Sequence, residues 1–186
     1  MSPPGEPPLD PELSRRVADS RRRPETEFPA VVPVGTLQFD RTEPTAIAVT
    51  CVLAYSNGFE FFVTRVLRPD GPRFGLGAGP APPHLRTGRA VNQSLEIGVE
   101  FADGGRFFAT DTPPLDDEDA TGPVLHFGGG VGSAHRSDDR WWVWPLPPSG
   151  RLDFIARLEA AERRVSMEAQ LILDASQRIV RPWSSA

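Results

Sequence analysis

The sequence has no lysine, a single cysteine and no long apolar run. All 20 basic residues are arginine, which excludes a Walker A lysine, a pyridoxal Schiff base and a lysine general base. One cysteine, Cys51, excludes an internal disulfide and every zinc site built from several cysteines. No stretch approaches the roughly 18 apolar residues of a membrane span, and no N-terminal apolar segment marks export. We therefore expect a cytoplasmic protein that binds no membrane.

What the chain does contain favours one small domain. Its 186 residues are 39% hydrophobic, so a core can be buried. The 21 prolines and 17 glycines leave little room for long helices. A net charge of −5 makes nucleic acid an improbable partner for the chain as a whole. The arginine, alanine, proline and glycine usage is typical of a GC-rich genome.

The first 30 residues are Pro-rich and poor in large apolar side chains, and we predict that residues 1–30 form a disordered tail. A short helix could start after Asp10, where Leu13 and Val17 are four residues apart. Five arginines between Arg15 and Arg23 are read as solvated charge, with a small patch for nucleic acid as the alternative.

The most informative stretch surrounds Ser56-Asn57-Gly58, because Asn-Gly between two β-rich runs is a hairpin signal. A two-residue loop would pair Leu53 with Phe62 and separate the large apolar side chains. A three-residue loop gathers them on one buried face, and we predict this register. Its pairs are Tyr55 with Phe59, Leu53 with Phe61, Cys51 with Val63 and Ile47 with Leu67.

Further strands are predicted along the chain by alternation and turn residues. They are residues 34–41, 95–101, 106–111, 123–127, 140–146 and 151–158. Leu171, Ile172, Ala175 and Ile179 have helical spacing after Ser166, a plausible N-cap, and Pro182 ends the run with Trp183 beside it. This predicts an antiparallel two-sheet β-sandwich, immunoglobulin-like, over residues 31–183, with one C-terminal helix.

No catalytic set is recognisable, and we expect no cofactor. The glycines of residues 75–79 precede a proline-rich run, so they cannot open the helix of a dinucleotide site. His126, His135, Asp138 and Asp139 offer nitrogen and oxygen ligands, but their spacing fits no known metal motif. We predict no bound metal and keep a metal-dependent hydrolase built on these four residues as an alternative.

Two neighbouring features suggest a binding surface. Residues 128–133 form a glycine-rich loop, which lets another backbone approach closely. Trp141-Trp142-Val143-Trp144 is apolar on both faces, which is typical of a covered central strand; the alternative is that one face meets a partner. The predicted binding residues are Gly129, Gly130, Gly132, His135, Trp141 and Val143, with Gly132, His135 and Trp141 neighbours at one end of the sandwich.

Four segments occur in a particular order along the chain. They are residues 54–61 (AYSNGFEF), 98–104 (GVEFADG), 128–130 (GGG) and 142–150 (WVWPLPPSG). This ordered set resembles a group of small actinobacterial proteins with no known activity, over roughly residues 31–183. The resemblance implies a β-rich domain and an actinobacterial source, and it implies no catalytic residue.

The leading functional expectation is a non-enzymatic cytoplasmic module that binds another protein. A metal-dependent hydrolase is the first alternative. The second is a nucleic-acid accessory protein that acts through the segment from Arg15 to Arg23.

Overall fold

The structure is a computed structural model that describes residue 12 and residues 19–39, 43–71, 73–74, 95–113, 115, 122–158 and 161–183. Residues 19–21 are helical, and a C-terminal helix spans Gln170–Ser176. The strands between them are β1 Ala30–Val31, β2 Leu37–Gln38, β3 Thr45–Ala54, β4 Phe59–Leu67, β5 Leu95–Glu100, β6 Arg106–Phe108, β7 Val124–Gly132, β8 Arg136–Trp144, β9 Arg151–Leu158 and β10 Ala161–Glu168. The predicted glycine loops of residues 75–79 lie outside the described residues.

Two antiparallel sheets enclose one core. The six-stranded sheet has the order β1-β3-β4-β8-β7, with β2 also paired to β3, and the four-stranded sheet has the order β10-β9-β5-β6. The predicted β-sandwich with a C-terminal helix is therefore confirmed. Its centre is filled by side chains from both inner faces, including Val49, Phe61, Val99, Val143, Leu152 and Phe154.

The C-terminal region differs from its prediction. Ser166 lies within β10, where it pairs with Asp153, and therefore caps no helix. The helix begins at Gln170 and has seven residues, because β10 takes up the preceding segment. Ile172 and Ala175 pack into the core as expected, whereas Trp183 is 83% exposed and is not docked beside the helix.

The predicted register of the β3–β4 hairpin is wrong. Ala54 pairs with Phe59 and Val52 with Phe61, and a β-bulge at Thr50 shifts the pairing so that Val49 faces Val63. The extra residue reverses the alternation of β3. The side chains of Val52 and Ala54 therefore face the core, and Cys51, Leu53 and Tyr55 face outward instead of inward.

The chain before β1 is docked over residues 19–27. For Arg21 and Arg23 this corrects the prediction of solvated charge, whereas Arg22 is exposed and Arg15 and Arg16 lie outside the described residues. Arg21 is only 3% exposed. Residues 19–27 lie on the outer face of the six-stranded sheet, the face turned away from the four-stranded sheet, where Asn57 and Trp142 donate hydrogen bonds to them. The segment then reaches the C-terminal region, where Phe28 and Val180 exchange two backbone hydrogen bonds.

The outer face of the four-stranded sheet carries a lattice of ion pairs. Glu162 forms ion pairs with three arginines. Arg164 lies between Glu100 and Asp153, and Asp153 also forms an ion pair with Arg151. The ring of Phe108 lies against Gly98, where a Cβ would be 2.6 Å from two ring carbons. The Arg157 guanidinium stacks 3.8 Å above the ring centroid. The acidic and basic groups of this face neutralise each other.

Candidate functional site

Strand β7 forms one end of the six-stranded sheet and is paired through its inner edge to β8. At the start of its outer edge, the Leu125 amide donates to Thr112 Oγ1 and His126 lies 3.2 Å from the Pro113 carbonyl. From Phe127 to Gly132, no described strand pairs with this edge. Within the described part of the chain, the edge is therefore available to a further strand, apart from the Gly128 carbonyl, which accepts a hydrogen bond from Arg140.

Two large apolar side chains on β7 face solvent. Phe127 is 56% exposed and Val131 is 73% exposed. Phe127 faces the same side as Trp141, with their rings edge to face at 5.4 Å, whereas Val131 pairs with Asp138 on the opposite side. A bulge between Phe127 and Gly129, with Gly129 at φ +116°, causes this change of side. The edge therefore offers one apolar contact on each face.

The predicted binding residues are only partly brought together. Gly129, Gly130 and Gly132 lie in β7, so the predicted loop of residues 128–133 is mostly strand. His135 lies in the turn at the end of the hairpin. Trp141 pairs with Phe127, whereas Gly132 pairs with Ser137. Ser137 precedes Trp141 by four residues in β8. That spacing corresponds to about 13 Å along the strand, so Trp141 is not beside Gly132 and His135.

Val143 is 0% exposed and packs in the core between the sheets, so its predicted role on a binding surface is corrected. Trp141 is half-buried and packs against the same core. The tryptophan strand is thus mainly a packing element, as its two apolar faces indicated.

The four candidate metal ligands do not converge. His126 pairs with Trp142 near the start of β7, and His135 lies at the opposite end of the hairpin. Asp138 and Asp139 project to opposite faces because they are neighbours in a strand. Asp138 accepts hydrogen bonds from Arg136 and Thr64, which keep the pKa of its carboxyl below the usual range, and Asp139 is paired with Arg65. Among the described residues, no three potential ligands form a metal-binding group.

A second cluster, on the outer face of the same sheet, surrounds Glu60. This carboxylate is 2% exposed. It accepts a hydrogen bond from Tyr55 Oη at 3.0 Å, and its other oxygen lies 3.3 Å from Arg23 Nη1 and 3.5 Å from Arg140 Nε. Burial and the nearby Glu60 charge raise the pKa of Tyr55, which keeps the phenol protonated. Arg140 also donates to the Gly128 carbonyl at 2.5 Å and so links the cluster to β7.

Sequence reasoning missed the two features that define these surfaces. Phe127 and Val131 flank the glycine run. Had the strand been continued through the glycines, both residues would have been recognised as part of one strand. Glu60 was not singled out from the sequence, because its burial depends on arginines at sequence separations of 37 and 80. No local pattern reports such distant partners.

No family model matches the chain. No curated protein matches it either. None of the helices within the described residues is long and apolar enough to cross a membrane.

Proposed function

We propose that the protein is a non-enzymatic, cytoplasmic interaction module whose β7 edge takes up an extended segment of another protein as an additional strand. The carrying observation is that none of the described strands pairs with the edge between Phe127 and Gly132, where Phe127 and Val131 are exposed. In strand addition, main-chain hydrogen bonds supply affinity and alternate side chains supply specificity.

The other ends of the two sheets support this choice of edge. Natural proteins protect sheet edges with short strands or charged side chains. Strands β1 and β6 have two and three residues, and β10 carries four charged residues. By contrast, β7 has nine residues and no aspartate, glutamate, lysine or arginine. Among the described edge strands, β7 is the long one without charged side chains.

The glycines of β7 favour a protein backbone as the ligand. Gly128, Gly129, Gly130 and Gly132 carry no side chains on the two faces beside the edge, so the backbone of an incoming strand and its side chains meet little steric hindrance there. The exposed Phe127 and Val131 would contact apolar side chains on the two faces of that strand. We therefore expect the partner segment to be extended, with apolar residues at both odd and even positions.

The two alternatives have weaker support. A metal-dependent hydrolase would need His126, His135, Asp138 and Asp139 together, and they are separated along the hairpin and its two faces. A nucleic-acid role for the N-terminal arginines is disfavoured because Arg21 is buried and Arg23 is paired with Glu60. The cytoplasmic, actinobacterial setting is supported by the single cysteine, the composition and the sequence resemblance.

The test places a charge on the edge and a matched charge elsewhere. Val131→Asp puts a carboxylate on β7, and Val66→Asp puts one at an exposed valine of β4, which is paired on both sides. Both variants and the parent chain serve as bait in the native cell, and captured proteins are identified by mass spectrometry. We expect a partner retained by Val66→Asp and lost by Val131→Asp, since a buried charge disfavours pairing.

Hydrogen exchange adds a structural readout. The amides of residues 127–132 that point away from β8 should exchange more slowly in the complex, because a new strand would accept their hydrogen bonds, whereas the amides already bonded to β8 serve as the internal control. A partner that survives Val131→Asp, or unchanged exchange at these amides, would refute strand addition. A wild-type dimer abolished by Val131→Asp would instead identify a second copy as the occupant of the edge.

A further inference from the structure

Residues 20–22 are held on the outer face of the six-stranded sheet in the manner of a bound peptide. Asn57 Nδ2 donates to the carbonyl oxygens of Ser20 and Arg22 at 2.6 and 2.9 Å. Trp142 Nε1 donates to the carbonyl oxygen of Arg21 at 2.7 Å. Asn57 of the β3–β4 turn and Trp142 of β8 thus contact three successive carbonyls, and such contacts depend on the backbone rather than on the peptide's sequence.

Arginine side chains provide the specific part of this contact. Arg23 reaches the buried Glu60 at 3.3 Å and also donates to Tyr55 Oη at 3.4 Å. The Arg21 guanidinium lies 5.7 Å from the centroid of the Trp144 ring. A buried carboxylate beside aromatic rings matches a planar, weakly hydrated cation, which is the chemistry of arginine.

We propose that Tyr55, Asn57, Glu60, Trp142 and Trp144 form an arginine cleft, a binding site for an arginine-containing peptide of another protein that ends a helical turn as residues 19–22 do. Residues 20–23 are its internal occupant. Charge complementarity argues for a cationic ligand. Within the described contacts, Glu60 is the only carboxylate that lies beside both Arg23 and Arg140. The cleft is separate from the β7 edge, so this proposal does not depend on the proposed function.

The internal segment can leave without removing the supports of the fold. It is anchored downstream by the backbone pair between Phe28 and Val180. When Arg23 leaves, Arg140 remains 3.5 Å from Glu60, so the buried carboxylate keeps a cationic partner. Exchange of one arginine segment for another therefore leaves no unpaired buried charge.

The experiment uses the full chain and a fluorescently labelled peptide with the sequence of residues 20–27. Arg21→Ala/Arg23→Ala removes both side-chain anchors of the internal occupant and leaves the cleft residues intact. Arg22→Ala is the matched control, since Arg22 is exposed and lies between them. We expect the double variant to bind the peptide at least about tenfold more tightly than wild type or Arg22→Ala, because its cleft is less well occupied from within.

Two further arms identify the chemistry. Adding Glu60→Gln to the double variant should abolish its gain in peptide affinity. A peptide with lysine in place of its arginines should bind the double variant more weakly, since lysine lacks the planar guanidinium. Equal peptide affinity of the double variant and Arg22→Ala would overturn the proposal. Undiminished affinity after Glu60→Gln, or for the lysine peptide, would also overturn it.

If the double variant does not fold, a measurement on the wild-type chain tests the proposal instead. The Trp142 indole N–H is followed by NMR while the same peptide is added to millimolar concentration. A saturable shift of this resonance supports exchange at the cleft, and no shift overturns it. Concentration-dependent dimers of wild type that Arg23→Ala abolishes would also overturn the proposal, since a second copy would then supply the segment.

Discussion

The outer faces of the two sheets hold their charged groups in different environments. On the six-stranded sheet, one carboxylate, Glu60, is buried beneath residues 20–23 and shared by Arg23 and Arg140. On the four-stranded sheet, several carboxylates and arginines alternate, and the side chain of Glu162, which contacts three arginines, is 29% exposed. Asp153 is buried on this face, but its partners Arg151 and Arg164 are 65% and 35% exposed.

The comparison shows that the number of ion pairs does not measure their contribution to stability. Water and ions screen the exposed lattice, and removal of one member leaves others to compensate. Water cannot replace a lost partner of Glu60 in the same way, because the carboxylate is buried. We therefore expect the face with fewer charges to be the more sensitive one.

The largest expected effect comes from replacement of the buried carboxylate. Glu60→Gln removes the charge that Arg23 and Arg140 share, and we expect a loss of about 2–3 kcal/mol in the free energy of unfolding. This is below the cost for a fully buried pair because the two arginine side chains are 38% and 37% exposed. Urea denaturation at neutral pH measures it.

The matched control lies on the open lattice. Glu162→Gln should cost less than about 1 kcal/mol. Equal losses for the two substitutions would show that burial does not distinguish these faces.

An intermediate effect tests how the open face is packed. Gly98→Ala would bring a Cβ within 2.6 Å of the Phe108 ring and force that ring away from the sheet and into Arg157. We expect a loss of about 1–2 kcal/mol in unfolding free energy. Gly35→Ala is the control, since a Cβ there meets no atom within 4 Å. The midpoints of thermal unfolding of both variants measure the loss. An unchanged midpoint for Gly98→Ala would contradict the stacking of the Phe108 ring on Gly98.

The smallest effect concerns acid. Burial would raise the pKa of Asp153, but hydrogen bonds from Arg151 and Ser166 outweigh it and hold the pKa below its usual value. The ionised carboxylate therefore stabilises the fold above about pH 4, the unfolded value, and this contribution is lost as the pH falls through the folded pKa.

Asp153→Asn should accordingly flatten the decline of stability between neutral pH and acid. The cost at pH 7 should be about 1 kcal/mol, because Asp153 is buried but its arginine partners are 65% and 35% exposed. Denaturation series at several pH values measure both quantities. A decline as steep in Asp153→Asn as in the parent chain would assign the acid sensitivity to other carboxylates.

Regular elements were predictable from sequence, and irregular ones were not. The alternation of Leu95, Ile97 and Val99 correctly identified β5 and its core face. By contrast, Gly128–Gly130 looked like a loop, because a glycine run carries no side-chain pattern, although β8 pairs with it. The burial of Glu60 was beyond sequence reasoning because the covering segment is brought there by the fold.

The bulge at Thr50 has a consequence for how this sequence can change. Because alternation restarts after Thr50, one residue decides which side of the sheet Cys51, Leu53 and Tyr55 face. A regular strand, with Thr50 paired to Phe62 and no bulge, would move every later side chain of β3 to the other side of the sheet at once. Tyr55 would then leave Glu60 and enter the core, so the surface that holds the arginines exists through a single irregularity of strand pairing.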